Sequence, residues 1–321
     1  MVFEGYSFSF DWEIALMEWL QAHIPAGVIS FISQFSLFGE ELMLIAIMGF
    51  IYLAYNKEMG RKIGTAICLG LCAAPMIKNL FFRRRPYFDN EGIKCLRPVD
   101  ADADLYDIAA QGYSFPSGHS TNAAVTYPSI ARFAQNHKKA LTIIATVLCI
   151  LVGFSRVVVG CHFPTDVLCG WILGLVVMIF VSTLYGRISD RRVIFAILAV
   201  LGGIGMFYCD TNDYFASYGL LIGFMLSEPF EKKYVKFKET KSPLAAFIRV
   251  IAAGPIYYGL NFLLKLPFSG EFLNNGTLLA HSVRALRYGI VIFAITAIYP
   301  MLFKFVPFRG KNEEEQKNDN L

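Results

Sequence analysis

Charge is scarce in this 321-residue chain. Only 17% of its residues are Asp, Glu, Lys or Arg, against 55% that are hydrophobic, too few to clothe the outer faces of a large soluble core. No basic leader or small-residue cleavage site precedes the first apolar run, so a secretory signal is not expected. No internal repeat is apparent. The seven cysteines follow no metal or redox spacing, and their odd number argues against a full disulfide framework. The net charge of +4 is scattered over short connections, which reads as a topology signal and excludes a nucleic-acid surface.

What the chain has instead is long apolar runs. Nine segments of about 18 residues or more can cross a bilayer as helices: 28–56, 61–81, 117–136, 140–159, 164–186, 193–209, 213–230, 244–266 and 281–305. The expected fold is an all-α polytopic membrane bundle of about nine transmembrane helices. Its expected divisions are an interfacial segment (1–27), a six-span core (28–209), a three-span C-terminal extension (210–306) and a charged tail (307–321). Residues 8–23 alternate Asp11, Glu13 and Glu18 with Trp12, Ile14, Leu16, Trp19 and Leu20. A helix of this kind either lies along the membrane with its tryptophans at headgroup level or caps the bundle.

Orientation follows from where the cations collect. Lys57, Arg61 and Lys62, then Lys138 and Lys139, then Arg187, Arg191 and Arg192, then Lys232, Lys233, Lys236, Lys238 and Lys241, and finally Arg309, Lys311 and Lys317 all fall on one side of a nine-span alternation. That side is expected to be cytoplasmic, with the N-terminus outside and the C-terminus inside. Cys95, Cys161 and Cys209 then lie on the outer side, where a Cys95–Cys161 disulfide is conceivable.

Three stretches carry polar residues of a different kind. Residues 78–86 read K-N-L-F-F-R-R-R-P, residues 116–119 read P-S-G-H, and residues 155–166 read S-R-V-V-V-G-C-H-F-P-T-D. All three converge on the predicted outer face, and the loop 82–116 is expected to fold as a lid over them. His162 and Asp166 stand four apart with Pro164 between them, suited to a helix start whose first-turn carboxylate reaches back to the imidazole. Such a partner fixes the tautomer and raises basicity, as a nucleophilic histidine requires. At P-S-G-H, unpaired backbone N–H groups of a helix start make an anion site. Ser117 adds a hydroxyl there, and Gly118 permits close approach of a phosphate. Lys78, Arg85 and Arg156 supply fixed cations for the charge of a transferring phosphoryl group. Taken alone, Lys78 could equally snorkel to the membrane surface, and Arg83 and Arg84 read as a surface basic cluster beside Arg85.

Motif for motif, this set resembles the type-2 phosphatidate phosphatase superfamily, which includes glucose-6-phosphatases, sphingosine-phosphate phosphatases and, more distantly, vanadium haloperoxidases. The resemblance implies that His162 attacks phosphorus, that Asp166 orients it, and that His119 is the general acid for the leaving oxygen. It implies a phosphohistidine intermediate and no cofactor, and no metal-ligand cluster accompanies the motifs, so turnover is expected to survive chelation. The expected substrate is a phospholipid, sphingoid or polyprenyl phosphate presented from the bilayer. Two alternatives stand beside it: a glucose-6-phosphatase-like hydrolase of a soluble phosphate ester, and a non-catalytic lipid-binding membrane protein. Homo-oligomerisation is left open. The tail has no dilysine ending, which favours a bacterial plasma membrane.

Other polar residues fit less pointed readings. His281, Arg284 and Arg287 gather at the outer end of the ninth segment, where anchoring to lipid phosphate is preferred over contact with a substrate headgroup. Asp100, Asp102 and Asp104 resemble the start of a calcium loop but lack its glycine and final ligand, so a solvated acidic loop is expected. Glu40 and Glu41 interrupt the first apolar run and are expected to face a polar cavity.

Overall fold

A computed structural model describes residues 4–305; the tail at 307–321, with Arg309, Lys311 and Lys317, lies outside the described residues. The described residues are mostly helical and include no strand, only an isolated bridge between Tyr6 and Arg83. In order the helices are α1 (Asp11–His23), α2 (Ala26–Ser33), α3 (Glu41–Phe50), α4 (Lys57–Phe81), α5 (Pro86–Asp89), α6 (Ile108–Gln111) and α7 (Gly118–Phe133). They continue with α8 (Lys138–Val158), α9 (Pro164–Arg187), α10 (Arg191–Gly203), α11 (Asn212–Phe230), α12 (Pro243–Leu263), α13 (Gly270–Asn274) and α14 (Leu278–Phe293), the last running on through irregular turns to Phe305.

All nine apolar segments are largely helical among the described residues. Five helices are long and apolar enough to cross a membrane: α4, α8, α9, α12 and Leu278–Phe305. A sixth is reached if Asp11–His23 and Ala26–Gly39, bent by 114°, count as one broken span. The run at 28–56 is interrupted. After α2 it passes through a 3-10 turn at Gln34–Gly39, restarts at Glu41, and ends in a wider turn at Ile51–Tyr55. Glu40 breaks it, its backbone extended and its carboxylate held by Arg97 at 2.8 Å. The short helices α7 and α10 have 16 and 13 residues.

The chain forms two compact units, one of residues 4–44, 70–187 and 207–210, the other of 45–69, 188–206 and 211–305. In the first, α7 and α9 approach through glycine. A Cβ on Gly170 would meet the Ser117 carbonyl at 2.8 Å, and one on Gly174 would meet Ala124 Cβ at 2.6 Å. Without side chains there, backbones can close on one another, the packing that membrane helices use in place of a hydrophobic drive. The approach sets the P-S-G-H turn against the start of α9, where Ser117 N–H donates to the Asp166 carbonyl at 3.0 Å. Beneath lies an apolar cluster of Met17, Leu20, Ile29, Val157, Val158, Phe163 and Val167.

The second unit repeats the device. Gly219 and Gly223 of α11 lie against Ala285 and Gly289 of α14, each pair spaced four apart. Several of its basic residues are paired. Buried Glu231 is paired with Lys57 at 2.9 Å and with Arg61, and Glu228 with Lys232 at 2.5 Å.

Candidate active site

The turn joining α8 to α9 carries His162. It is shaped by Gly160, whose φ of +78° is open to glycine and strained for other residues. A Cβ at that position would also collide with the Lys94 carbonyl. Gln21 of α1 clasps the same turn, its amide donating to Val158 O at 3.0 Å and Lys94 O at 2.8 Å. Arg156 is the last basic residue of α8, and its carbonyl receives the N–H groups of Cys161 and His162.

His162 is buried, with Nε2 3.3 Å from Arg85 Nη1 and Nδ1 3.6 Å from Asp166 Oδ2. The second separation exceeds a hydrogen bond. Asp166 Oδ2 instead accepts from Phe163 N–H at 2.8 Å, which leaves His162 Nδ1 without a hydrogen-bond partner. Burial, followed by the charges of Arg85, Arg156 and Lys78, holds the His162 imidazole well below its ordinary range. The ring is therefore neutral at neutral pH, with a lone pair available. Arg85 is locked by Gln111 O at 2.9 Å, Gly112 O at 3.0 Å and Cys161 O at 3.0 Å. Arg156 donates to Ser36 Oγ at 3.1 Å through Nη1, and its Nε has no hydrogen-bond partner.

Ser117 caps α7, its oxygen accepting from Ser120 N–H at 3.4 Å and Ser120 O–H at 2.9 Å. A Cβ on Gly118 would meet nothing within 4 Å, so the helix start has open space above it. His119 sits on the following residue, against Gly39, within electrostatic reach of His162, Arg156, Arg85 and Lys78. The structure thus brings together all eight residues singled out from the three motifs. Around one neutral imidazole stand three cations, a second imidazole and an open helix N-terminus, a set able to bind and transfer a phosphoryl group.

Two charged residues at the same site were not expected there. Arg83 is 1% exposed, and its guanidinium reaches Asp166 Oδ1 at 2.7 Å, Glu13 Oε2 at 2.8 Å, Thr165 Oγ1 at 2.8 Å and Phe8 O at 2.8 Å. It also stacks on Phe163, its carbon 4.0 Å from the ring centroid. Glu13 is fully buried on α1, and its other oxygen takes Thr165 N–H at 3.0 Å and Thr165 O–H at 2.6 Å. Asp166 is thus one member of a row that runs His162, Asp166, Arg83, Glu13. Of the triple arginine, only Arg84 behaves as a surface residue, pairing with Asp89 at 2.6 Å. In an extended stretch alternate residues share a side, and that signal sets Arg83 with Arg85.

Nearby, Cys95 and Cys161 are free thiols with sulfurs 3.7 Å apart. The loop at 82–116 includes α5 and α6 and is pinned by Gln111, which donates to Asp100 O at 2.8 Å and accepts from Val99 N–H at 3.0 Å. Asp100 and Asp104 accept backbone N–H groups from Asp102 and Tyr106 within it.

Comparison with known proteins bears on this geometry. Residues 60–190 match the model of the PAP2 superfamily, and residues 215–311 match that of the PAP2 superfamily phosphatase transmembrane extension. A phosphatidylglycerophosphatase B of Bacillus subtilis (strain 168) is 53% identical over 92 residues, covering 26% of this chain and 45% of that protein. The undecaprenyl-diphosphatase BcrC of the same organism is 32% identical over 167 residues, 51% of this chain and 75% of that protein. The chain thus spans under half the length of the first relative and three quarters of the second. A solved transmembrane PAP2-type phosphatidylglycerolphosphate phosphatase from Bacillus subtilis aligns with a TM-score of 0.44 at 29% identity, covering 56% of this chain and 86% of that one.

Proposed function

Because the chain belongs to the PAP2 superfamily, we propose that it is a membrane hydrolase of lipid-borne phosphate. Its substrate is a monoester or diphosphate, cleaved through a phosphohistidine on His162. The observation that carries this reading is the buried neutral imidazole facing Arg85, with the charges of Arg156 and Lys78 bearing on the same ring.

In the first step a phosphate oxyanion lies on the N-terminal N–H groups of α7, over Gly118, with Ser117, Lys78, Arg85 and Arg156 sharing its charge. The His162 Nε2 lone pair attacks the terminal phosphorus, and the P–O bond to the leaving group breaks as the N–P bond forms. His119, protonated once the phosphate's negative charge lies among the cations, gives its proton to the departing oxygen, so lipid alcohol leaves from a monoester, or lipid monophosphate from a diphosphate, and His119 is left neutral. In the second step His119 takes a proton from water, whose oxygen attacks phosphorus. The N–P bond breaks, and inorganic phosphate leaves with His162 restored. The imidazolium that develops on His162 during attack is met by Asp166, 3.6 Å away, itself held by Arg83. Fixed cations replace solvent in this scheme and cost no reorganisation at the moment of reaction.

A lipid substrate is favoured by the apolar helices around the motifs and by the names of the relatives, a phosphatidylglycerophosphatase and an undecaprenyl-diphosphatase. The distribution of Lys and Arg supports a site on the outer face of a bacterial plasma membrane. The test is phosphate release by detergent-purified protein, with chelator present and His162→Ala as control. The panel is phosphatidate, phosphatidylglycerophosphate, sphingosine phosphate, a polyprenyl diphosphate and glucose 6-phosphate. Selective release from a lipid is expected. Selective release from glucose 6-phosphate would transfer the same chemistry to a soluble ester. Full turnover by His162→Ala would overturn the nucleophile assignment.

A further inference from the structure

The second unit holds a group of cations that the chemistry at His162 does not use. Arg284 and Arg287 lie three residues apart on α14, so they are neighbours on the helix surface. Arg287 is 3% exposed, and neither its Nε nor its Nη1 has a hydrogen-bond partner in the protein. Arg284 donates to the Leu273 carbonyl of α13 at 3.1 Å through Nη2, while its Nε is likewise unpartnered. Lys265 follows the end of α12. Its side chain is exposed, and burial, then the charges of Arg287 and Arg284, keep its ammonium below the usual range. Asp213 contributes to the field at Arg284, but among the described residues no ion pair joins any carboxylate to these three cations.

Ordinary explanations for basic residues at the end of a span do not cover this arrangement. A snorkelling arginine keeps its head in water, and the head of Arg287 is buried. A topology-setting cluster belongs on the cation-rich side, whereas the connection between α12 and α14 is on the cation-poor side of the predicted alternation. A structural ion pair requires a carboxylate in contact. Guanidinium groups withdrawn from water without a counter-charge are costly, and an anion among them offsets that cost. Planar guanidinium N–H groups suit the oxygens of phosphate, which they can bind in pairs.

We propose that Arg287, Arg284 and Lys265 form a phosphate-binding site within the second unit, taking the head of an anionic lipid or free phosphate. The lipid source is favoured by position, since the end of α12 and the start of α14 fall on the same side of the predicted alternation of spans. The site needs no turnover and is independent of the reading given to His162.

The test uses the full chain in detergent, by native mass spectrometry and thermal unfolding. The probes are dioleoyl phosphatidylglycerol, dioleoyl phosphatidylcholine and inorganic phosphate. The proteins are wild type, R284Q/R287Q, R284K/R287K and K265Q. Wild type is expected to retain phosphatidylglycerol about tenfold more tightly than R284Q/R287Q, with K265Q about threefold weaker than wild type and phosphatidylcholine alike for all. R284K/R287K keeps the charge and is expected to keep most of the retention. A wild-type Tm raised by inorganic phosphate and insensitive in R284Q/R287Q, without selective lipid retention, assigns the site to free phosphate. Equal retention of phosphatidylglycerol and equal phosphate response across wild type and K265Q overturns the proposal, even where the double glutamine variant fails to fold.

Discussion

Replacing Glu13 by alanine removes a carboxylate that accepts from Phe10 N–H at 3.1 Å, Arg83 Nη2 at 2.8 Å, Thr165 N–H at 3.0 Å and Thr165 O–H at 2.6 Å. Thr165 N–H is one of the orphan donors in the first turn of α9, so Glu13 also caps that helix from a distance. The bond to Arg83 is buried, and Arg83 is left with one carboxylate instead of two. Breaking a buried ion pair by deleting one member costs about 3–5 kcal/mol. For a chain of this size that corresponds to a fall in Tm on the order of 10 °C. The kinetic effect follows from geometry. With Glu13 gone, Arg83 is restrained chiefly by Asp166, and the carboxylate beside His162 loses its fixed position. A displacement of about 1 Å in a catalytic group costs about a hundredfold. Glu13→Ala is therefore expected to lower kcat about a hundredfold with KM within about threefold, because Lys78, Arg85, Arg156 and Ser117 are untouched. Phosphate release on the preferred lipid and a circular dichroism melt in detergent measure both. Glu13→Gln, which keeps the volume and half the acceptors, is expected to fall between. A kcat within twofold of wild type for Glu13→Ala, together with an unchanged Tm, would refute the reasoning.

Other expectations follow from single positions. Gly118→Ala adds a methyl into open space, so Tm is expected to hold while KM rises about tenfold; steady-state kinetics with a melt decides it. Gly160→Ala forces a φ of +78° and a collision with the Lys94 carbonyl, with an expected loss of about 1–3 kcal/mol or more in denaturant unfolding. His162 is held neutral by burial and nearby cations, so the unfolded chain takes up a proton below about pH 6.5 that the folded one refuses. That contribution to stability is complete above the unfolded pKa and is lost as pH falls toward the depressed folded one. Relative to His162→Asn, wild type is expected to lose about 1.4 kcal/mol per pH unit below pH 6. Parallel unfolding curves for the two proteins between pH 6.5 and 5 would contradict this.

Much of this molecule can be read from its sequence because membrane burial writes long apolar runs, and because a phosphate site needs residue types that such runs otherwise exclude. The motif residues stand out against their surroundings, and the structure places them together. The number of spans was harder. Hydropathy averages over a window, and Glu40 is one residue whose partner, Arg97, comes from a loop that the local pattern does not connect to it. Glu13 and Arg83 were missed for a related reason. Glu13 occupies the stripe of α1 that also buries Met17 and Leu20, an acidic residue at spacings i, i+4 and i+7 from core positions. That pattern was legible, but an amphipathic helix with three acids invites a surface reading. Arg83 is identified by its parity with Arg85, which becomes visible once the stretch is known to be extended.

The row ending at Glu13 has a consequence for how the protein is made. Glu13 bonds to partners 70 and 152 positions later in the chain, Arg83 and Thr165. Synthesis delivers the acid first, Arg83 just after α4, and Thr165 only at the start of α9. Until α9 begins, Thr165 is missing from the set of groups that hold the Glu13 carboxylate. Full docking of α1 thus waits for the segment bearing His162 and Asp166. On this ordering, final closure of the first helix and completion of the phosphate site are one event in biogenesis.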